Sequence, residues 1–193
     1  MSTDGLDRRA AMALLMADRA DDLLVVPGLG STTYDLAAAG DNDRNFYLWG
    51  AMGGAAMIGL GLALAQPARR VAVVTGDGEM LMGLGALATI GLKKPKNLAI
   101  IVFDNGVYGE TGMQPSHTRG GADLVAVAHA CGISACMDVR DEADLEELAR
   151  RLDDLSATLF ARVAIRAEEP PRVLPLRDGV ALKERFRAAI GVR

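Results

Sequence analysis

The pentapeptide "GDGEM" at residues 76–80 follows the apolar run "VAVVT" and precedes "LMGLGALATIGL", so Asp77 stands between two glycines where a strand hands over to a helix. An Asp-Gly turn alone would satisfy that position. A second polar stretch, "DNGVYG", closes the apolar run "LAIIVF", with residues 79 to 103 between the two. Asp77 and Asn105 are oxygen donors of the kind a hard divalent cation takes, and such a cation keeps water and clamps phosphate oxygens. Gly78 and Glu79 are expected to begin the helix after the strand, where free backbone amides favour an anion. The chemistry these residues suggest is the binding of a magnesium diphosphate. Acid–base candidates lie in the loop beyond Asn105, at Glu110 and His117. A loop histidine is also commonly only solvated, and Glu110 could simply pair with an arginine.

Elements must bring these loops together. An opening helix is expected near residues 7–19, followed by strand-like runs "LLVV", "FYLW", "VAVVT", "LAIIVF", "ISACMDV" and "LFARVAI" with helical segments between them. "STTYDLAAAG" offers Ser31 as an N-cap and Gly40 as a C-terminal stop. "DEADLEELARRLDDL" places Leu145, Leu148, Leu152 and Leu155 at helical spacing with charges elsewhere, which is a surface helix. Apolar strands alternating with helices predict an α/β fold with a doubly wound parallel sheet, whose ligands sit beyond the carboxyl ends of the strands. Asp77 lies at such an end. After Arg166 the prolines of "AEEPPRVLPLRDG" predict an extended arm that leaves the core before a last amphipathic segment.

Composition narrows the classes. The 193 residues are half apolar, enough for one domain with a sizeable core. The 21 basic and 25 acidic residues give a net charge of −4 without a basic block, so nucleic acid is not an expected partner. Cys131 and Cys136 fit neither a paired metal site nor a disulfide framework and read as reduced core residues. His129, within "LVAVAHACG", reads as a packed helix residue. Residues 45–68 carry no charge, as in a membrane span, but Gly50, Gly53, Gly54, Gly59 and Gly61 favour a buried strand followed by a tightly packed helix. Charges interrupt the N-terminal apolar runs, so a cytoplasmic, non-membrane protein is expected.

The GDG, the long spacer and the asparagine after it resemble the thiamine diphosphate motif, GDG followed at a distance by NN. Asp104 stands where that family usually has its first Asn, and Asn105 occupies the place of the second, the metal ligand. The resemblance implies Asp77, Asn105 and the carbonyl of Val107 as Mg2+ ligands, with Gly78, Glu79 and Tyr108 at the cofactor. "LWGAMGGAAMIGLGLALA" resembles the segment that holds the pyrimidine ring. There Met52 takes the place of the apolar side chain that bends the cofactor, and the Gly50 carbonyl and Met52 amide would bond the aminopyrimidine. "GLGSTTYDL" resembles the first phosphate loop, with Gly30, Ser31 and Thr32 near the diphosphate. Taken singly, Met52 could be core and Ser31 only a helix cap.

Within the family, "RNFYLWGAMG", "GDGEMLMGLGALATIG" and "DNGVYGETGMQPSHT" are similar to the beta subunits of sulfopyruvate decarboxylase and to the matching half of phosphonopyruvate decarboxylase. Those relatives read closer to STGGQPT in the last stretch, so Glu110 replaces a small hydroxyl residue and Met113 replaces Gly or Asn. The implied fold is the pyrophosphate-binding domain over residues 1–166, with residues 167–193 as C-terminal arm and helix. The implied activity is decarboxylation of a 2-oxo acid of unassigned side chain to carbon dioxide and an aldehyde. The family carries its activating glutamate in a pyrimidine-binding domain, whereas the first glutamate here is Glu79. A separate pyrimidine-binding subunit and a hetero-oligomer are therefore expected. A carboligase of the acetolactate synthase type, a 2-oxo acid oxidoreductase beta subunit and a non-catalytic regulatory subunit are the alternatives; two cysteines count against the iron–sulfur ligands of the second.

Overall fold

A computed structural model describes residues 5–192. In chain order the elements are α1 (Arg8–Met16), β1 (Leu23–Pro27), α2 (Ser31–Ala39), α3 (Ala55–Ala65), β2 (Arg70–Gly76), α4 (Asp77–Met82), α5 (Ala86–Lys93), β3 (Leu98–Asp104), β4 (Val107–Tyr108), β5 (Gln114–Pro115), α6 (Leu124–Ala130), β6 (Ala135–Val139), α7 (Glu142–Asp153), β7 (Leu159–Ala164) and α8 (Gly179–Ala189). Five strands form one parallel sheet in the order β1-β2-β3-β7-β6, and β4 and β5 make a separate antiparallel hairpin. Every residue of β1 and of β3 is buried, as the unbroken apolar runs predict for a parallel sheet covered on both faces.

Alternate side chains feed two cores. Val25, Val74, Ile101 and Val163 meet Met12 of α1, Leu36 of α2 and Leu148 of α7 on one face. On the other, Val26, Val73, Ile100 and Phe160 meet Leu60 of α3, Leu87 of α5 and Leu124 of α6. This is the doubly wound arrangement, and it carries the ends of β2 and β3 side by side, with Gly76 in register with Phe103. Gly59 shows why α3 is glycine-rich: a Cβ there would lie 2.1 Å from Val73 Cγ2, so the helix touches the sheet through bare backbone. Among the described residues no helix is long and apolar enough to cross a membrane.

Several expectations need correction. "FYLW" is not a strand. One bridge joins Asn45 to Val25, and Phe46 donates to the Val25 carbonyl at 2.9 Å. The chain then turns off the sheet edge through Ala51 and Gly53, at φ 59° and 87°. Ser31 is not the cap of α2 but its first residue; the N-cap is Gly30, at φ 78°, and no side chain caps that helix. Gly40 does stop α2, at φ 124°. His129 is exposed rather than packed, because α6 is short and turns only Leu124 and Ala128 fully inward. Cys131 and Cys136 are free and only half-buried. The arm after Arg166 leaves the sheet without leaving the molecule. Trp49 Nε1 donates to the Leu176 carbonyl at 3.0 Å, Leu182 and Phe186 of α8 are buried, and Phe186 packs on Phe46 at 5.2 Å.

Candidate functional site

The loops at the carboxyl ends of β1, β2 and β3 surround a cavity of about 120 Å³. Asp77, the first residue of α4, stands in its wall and is only 2% exposed. Two hydroxyls converge on its Oδ2, from Ser116 and from Thr118 at 3.2 Å. Burial, and then the charge of nearby Asp104, push its carboxyl up to about 6 against the hydrogen bond from Ser116. A carboxylate so short of positive charge, opening on a crevice, is suited to a cation.

Asn105 faces the same cavity, and its Oδ1 accepts from the Val107 amide at 3.0 Å, which curls the loop. Gly106, at φ 69°, then sends the chain into the β4–β5 hairpin, and Ser116 N donates back to the Gly106 carbonyl at 2.9 Å. The hairpin thus returns Ser116 and Thr118 to Asp77. Among the described residues no cluster of three His, Cys, Asp or Glu side chains is arranged to hold a metal. The available set is one carboxylate, one amide oxygen and the Val107 carbonyl, which fits a magnesium ion that completes its shell with phosphate and water.

Asp104 carries a charge where the resemblance expects an amide, and the fold answers it. Its Oδ2 accepts from Arg162 Nε at 2.6 Å, and its Oδ1 accepts from Thr118 Oγ1 at 2.8 Å and from Gly106 N at 3.0 Å. Arg162 also reaches Asp138 at 2.8 Å. The extra carboxylate therefore becomes part of the scaffold behind Asp77.

Glu79 has a different place from the one its neighbour Gly78 suggests. Its Oε2 accepts from Leu29 N at 2.9 Å and Thr75 Oγ1 at 2.8 Å, while Oε1 accepts from Gly53 N at 3.3 Å. Burial raises its carboxyl, partly offset by the Thr75 bond. The side chain ties the loop after β1 and the loop before α3 to the end of β2. Gly78 is required for another reason: a Cβ there would lie 2.7 Å from the Tyr108 ring, which covers it.

Ser31, Thr32, Met52, Tyr108 and Glu110 join Asp77, Gly78, Glu79, Asn105 and Val107 around the cavity. Met52 is 43% exposed, so it is not core. Three expected residues are not in the lining. Gly30 stands behind Ser31, against Glu110, whose Oε1 lies 3.0 Å from where a Cβ would be. Gly50 has open space around it. His117 lies outside, its Nδ1 3.0 Å from the Tyr108 hydroxyl. Glu110 is paired with Arg172 of the arm at 3.0 Å, and Arg172 in turn lies 5.4 Å over the Tyr34 ring.

Sequence reasoning did not find Ser116, Thr118, Arg162 or Arg8, all of which face or support this crevice. Ser116 and Thr118 gave no signal, since it is the turn at residues 117–120, just past β5, that brings both hydroxyls to Asp77. Arg8 and Arg162 had none either, being brought in by α1 and β7.

The model of the thiamine pyrophosphate enzyme C-terminal TPP binding domain matches residues 30–159. Phosphonopyruvate decarboxylase of Streptomyces viridochromogenes is 41% identical over 95% of this chain and 46% of its own length, so the chain spans about half of that relative. The sulfopyruvate decarboxylase beta subunit of Methanococcus maripaludis is 34% identical over 96% of this chain and 98% of its own length. Among solved structures, the thiamine diphosphate-dependent 4-hydroxybenzoylformate decarboxylase of Rhodococcus jostii RHA1 superposes with a TM-score of 0.72 at 23% identity, over 88% of this chain and 34% of that one, a likeness of fold.

Proposed function

The chain belongs to the thiamine pyrophosphate enzymes, in their C-terminal TPP-binding domain, and we propose that it is the diphosphate- and magnesium-holding subunit of a 2-oxo acid decarboxylase. The observation that carries this reading is the buried Asp77 at the end of β2, held by Ser116 and Thr118 and facing Asn105 across the crevice.

When bound, thiamine diphosphate supplies the electron sink that lets a 2-oxo acid lose carbon dioxide. The chain's own residues hold and shape the site. Asp77, Asn105 and the Val107 carbonyl would hold Mg2+, and the uncapped start of α2 at Ser31 and Thr32 would present amides to the diphosphate. Met52, exposed at the cavity wall, would offer the cofactor an apolar contact. Tyr108 over Gly78 closes the wall beside Val107. Glu110 lies at the rim, where it can exchange a proton with bound substrate, and the pair of His117 with the Tyr108 hydroxyl connects the rim to solvent.

A partner subunit completes this reading. The sequence of α3, "AAMIGLGLALA", has no polar residue, yet Met57 and Leu64 are exposed, as are Met82 and Leu92 of the neighbouring α4 and α5. A helix apolar all round is one that expects cover on every side. Similarity to a beta subunit over nearly its whole length supports a second chain, the one that carries the pyrimidine-binding surface and the activating glutamate.

The test is turnover. The chain is supplied with thiamine diphosphate, Mg2+ and a panel of 2-oxo acids, and carbon dioxide and aldehyde are followed before and after adding the polypeptide encoded beside it. Release only in the mixture is expected. Equal turnover by the lone chain would overturn the two-subunit reading, and a hydroxyketone product in place of aldehyde would move the assignment to carboligation.

A further inference from the structure

Arg8 is the first residue of α1, distant in sequence from every loop of the cavity and outside the region that matches the family model. It is nevertheless only 5% exposed, and it lines the same cavity as Ser31, Thr32, Asp77 and Asn105. Burying a guanidinium is costly unless something recovers the loss. Its Nε donates to Asp35 at 2.7 Å and its Nη1 to the Glu168 carbonyl at 3.2 Å, and among the described residues Nη2 has no partner.

Asp35 does not neutralise the cluster. Its other oxygen faces Arg9 Nε at 3.4 Å, so two guanidiniums share one buried carboxylate; the other carboxylates of the crevice they line, Glu110, Glu168 and Glu169, are exposed to solvent. The two guanidiniums lie beside the uncapped first turn of α2, a nine-residue helix. A bound diphosphate carries more negative charge than one Mg2+ cancels once Asp77 has used part of that ion's charge. An extra cation at the far side of the phosphates is what the balance lacks, and a guanidinium suits phosphate oxygens better than any other side chain.

We infer that Arg8 is a diphosphate-binding residue, reaching the cofactor's phosphates from α1 while Asp35 fixes its orientation. The inference rests on the thiamine diphosphate reading above. It makes Asp35 a positioning residue whose charge opposes the ligand, and this separates a binding role from a merely structural ion pair.

The experiment is calorimetric titration of the full chain with thiamine diphosphate in excess Mg2+, with displacement by inorganic diphosphate, alongside thermal melts. The double variant Arg8→Met with Asp35→Asn removes the fully buried pair and leaves only the part-exposed Arg9 without its carboxylate. It should remain folded and bind thiamine diphosphate about tenfold more weakly, the scale of one charge-assisted hydrogen bond, with inorganic diphosphate weakened by the same factor. Asp35→Asn alone keeps the Arg8 charge but loosens its hold, so it should weaken binding by less than the double variant does. Wild-type affinity in the folded double variant, or an equal loss in Asp35→Asn alone, would overturn the assignment of Arg8. No Mg2+-dependent binding by the wild-type chain would instead overturn the thiamine diphosphate reading and this inference with it.

Discussion

At the level of single residues, the site is a set of charges, each answered by a named partner. Buried Asp77 has the Ser116 and Thr118 hydroxyls, buried Asp104 has Arg162, and exposed Glu110 has Arg172. The last pair bears on substrate choice. A carboxylate at the rim repels an anionic substrate group, but here Arg172 offsets it at 3.0 Å. Glu110→Ser removes the carboxylate and frees Arg172, so relative rates on anionic 3-substituted pyruvates should rise by up to about fivefold, the equivalent of the ~1 kcal/mol an exposed ion pair is worth. Rates on sulfopyruvate and phosphonopyruvate that stay flat relative to pyruvate would show that Glu110 does not face the bound substrate. Asp77 and Asn105 were legible because glycines and strand ends isolate them in the sequence. Their supports were not: Arg162 is 58 positions from Asp104 and meets it only because β7 pairs with β3.

At the level of elements, Glu79 shows how one side chain can hold two loops to a strand end. Glu79→Ala leaves the Leu29 amide, the Gly53 amide and the Thr75 hydroxyl without their acceptor, and should cost about 3 kcal/mol of stability. Chemical denaturation checks the stability, and cofactor affinity should fall with it because the Ser31 and Met52 loops lose their common anchor. A second clamp lies at the other end of the sheet, where Arg70 holds Asp22 at 2.6 Å and the Leu152 carbonyl at 2.7 Å. The hydrogen bond from Arg70 holds the Asp22 carboxyl below the usual carboxylate range. A depressed folded pKa contributes stability above the unfolded value of about 3.9 and loses it as the solution is acidified further. Asp22→Asn should therefore cost up to ~1 kcal/mol at neutral pH, and the difference from wild type should vanish in melts well below pH 4. β1 and β3 were legible because parallel strands buried on both faces are unbroken apolar runs, whereas β6, at the sheet edge, is mostly half-buried and carries Asp138. "FYLW" has the same composition and failed because the chain makes only one bridge to β1, at Asn45, before it turns away at Ala51 and Gly53. The N-cap of α2 was misread for an instructive reason: Ser31 is a good capping residue, but Gly30 takes the cap position, so the first-turn amides stay open toward the cavity.

At the level of the whole molecule, one end of the sheet presents the Asp77–Asn105 crevice, and one side presents apolar helices with exposed Met57, Leu64, Met82 and Leu92. A crevice that is polar around Asp77 and open beside Met52 is suited to a ligand held by two surfaces. The arm and α8 bind back onto the body through Trp49, Phe46 and the Arg172–Glu110 pair, so the rim loop and the C-terminal segment are coupled. All of this depends on the claim that the Asp77–Asn105 crevice holds Mg2+ and a diphosphate. The most direct test is calorimetric titration of the full chain with thiamine diphosphate, in Mg2+ and in EDTA, for wild type and for Asp77→Ala. Binding by wild type in Mg2+ alone, abolished in an Asp77→Ala variant that keeps its circular dichroism spectrum, is the predicted result. Binding that is indifferent to EDTA, or wild-type affinity in Asp77→Ala, would contradict it.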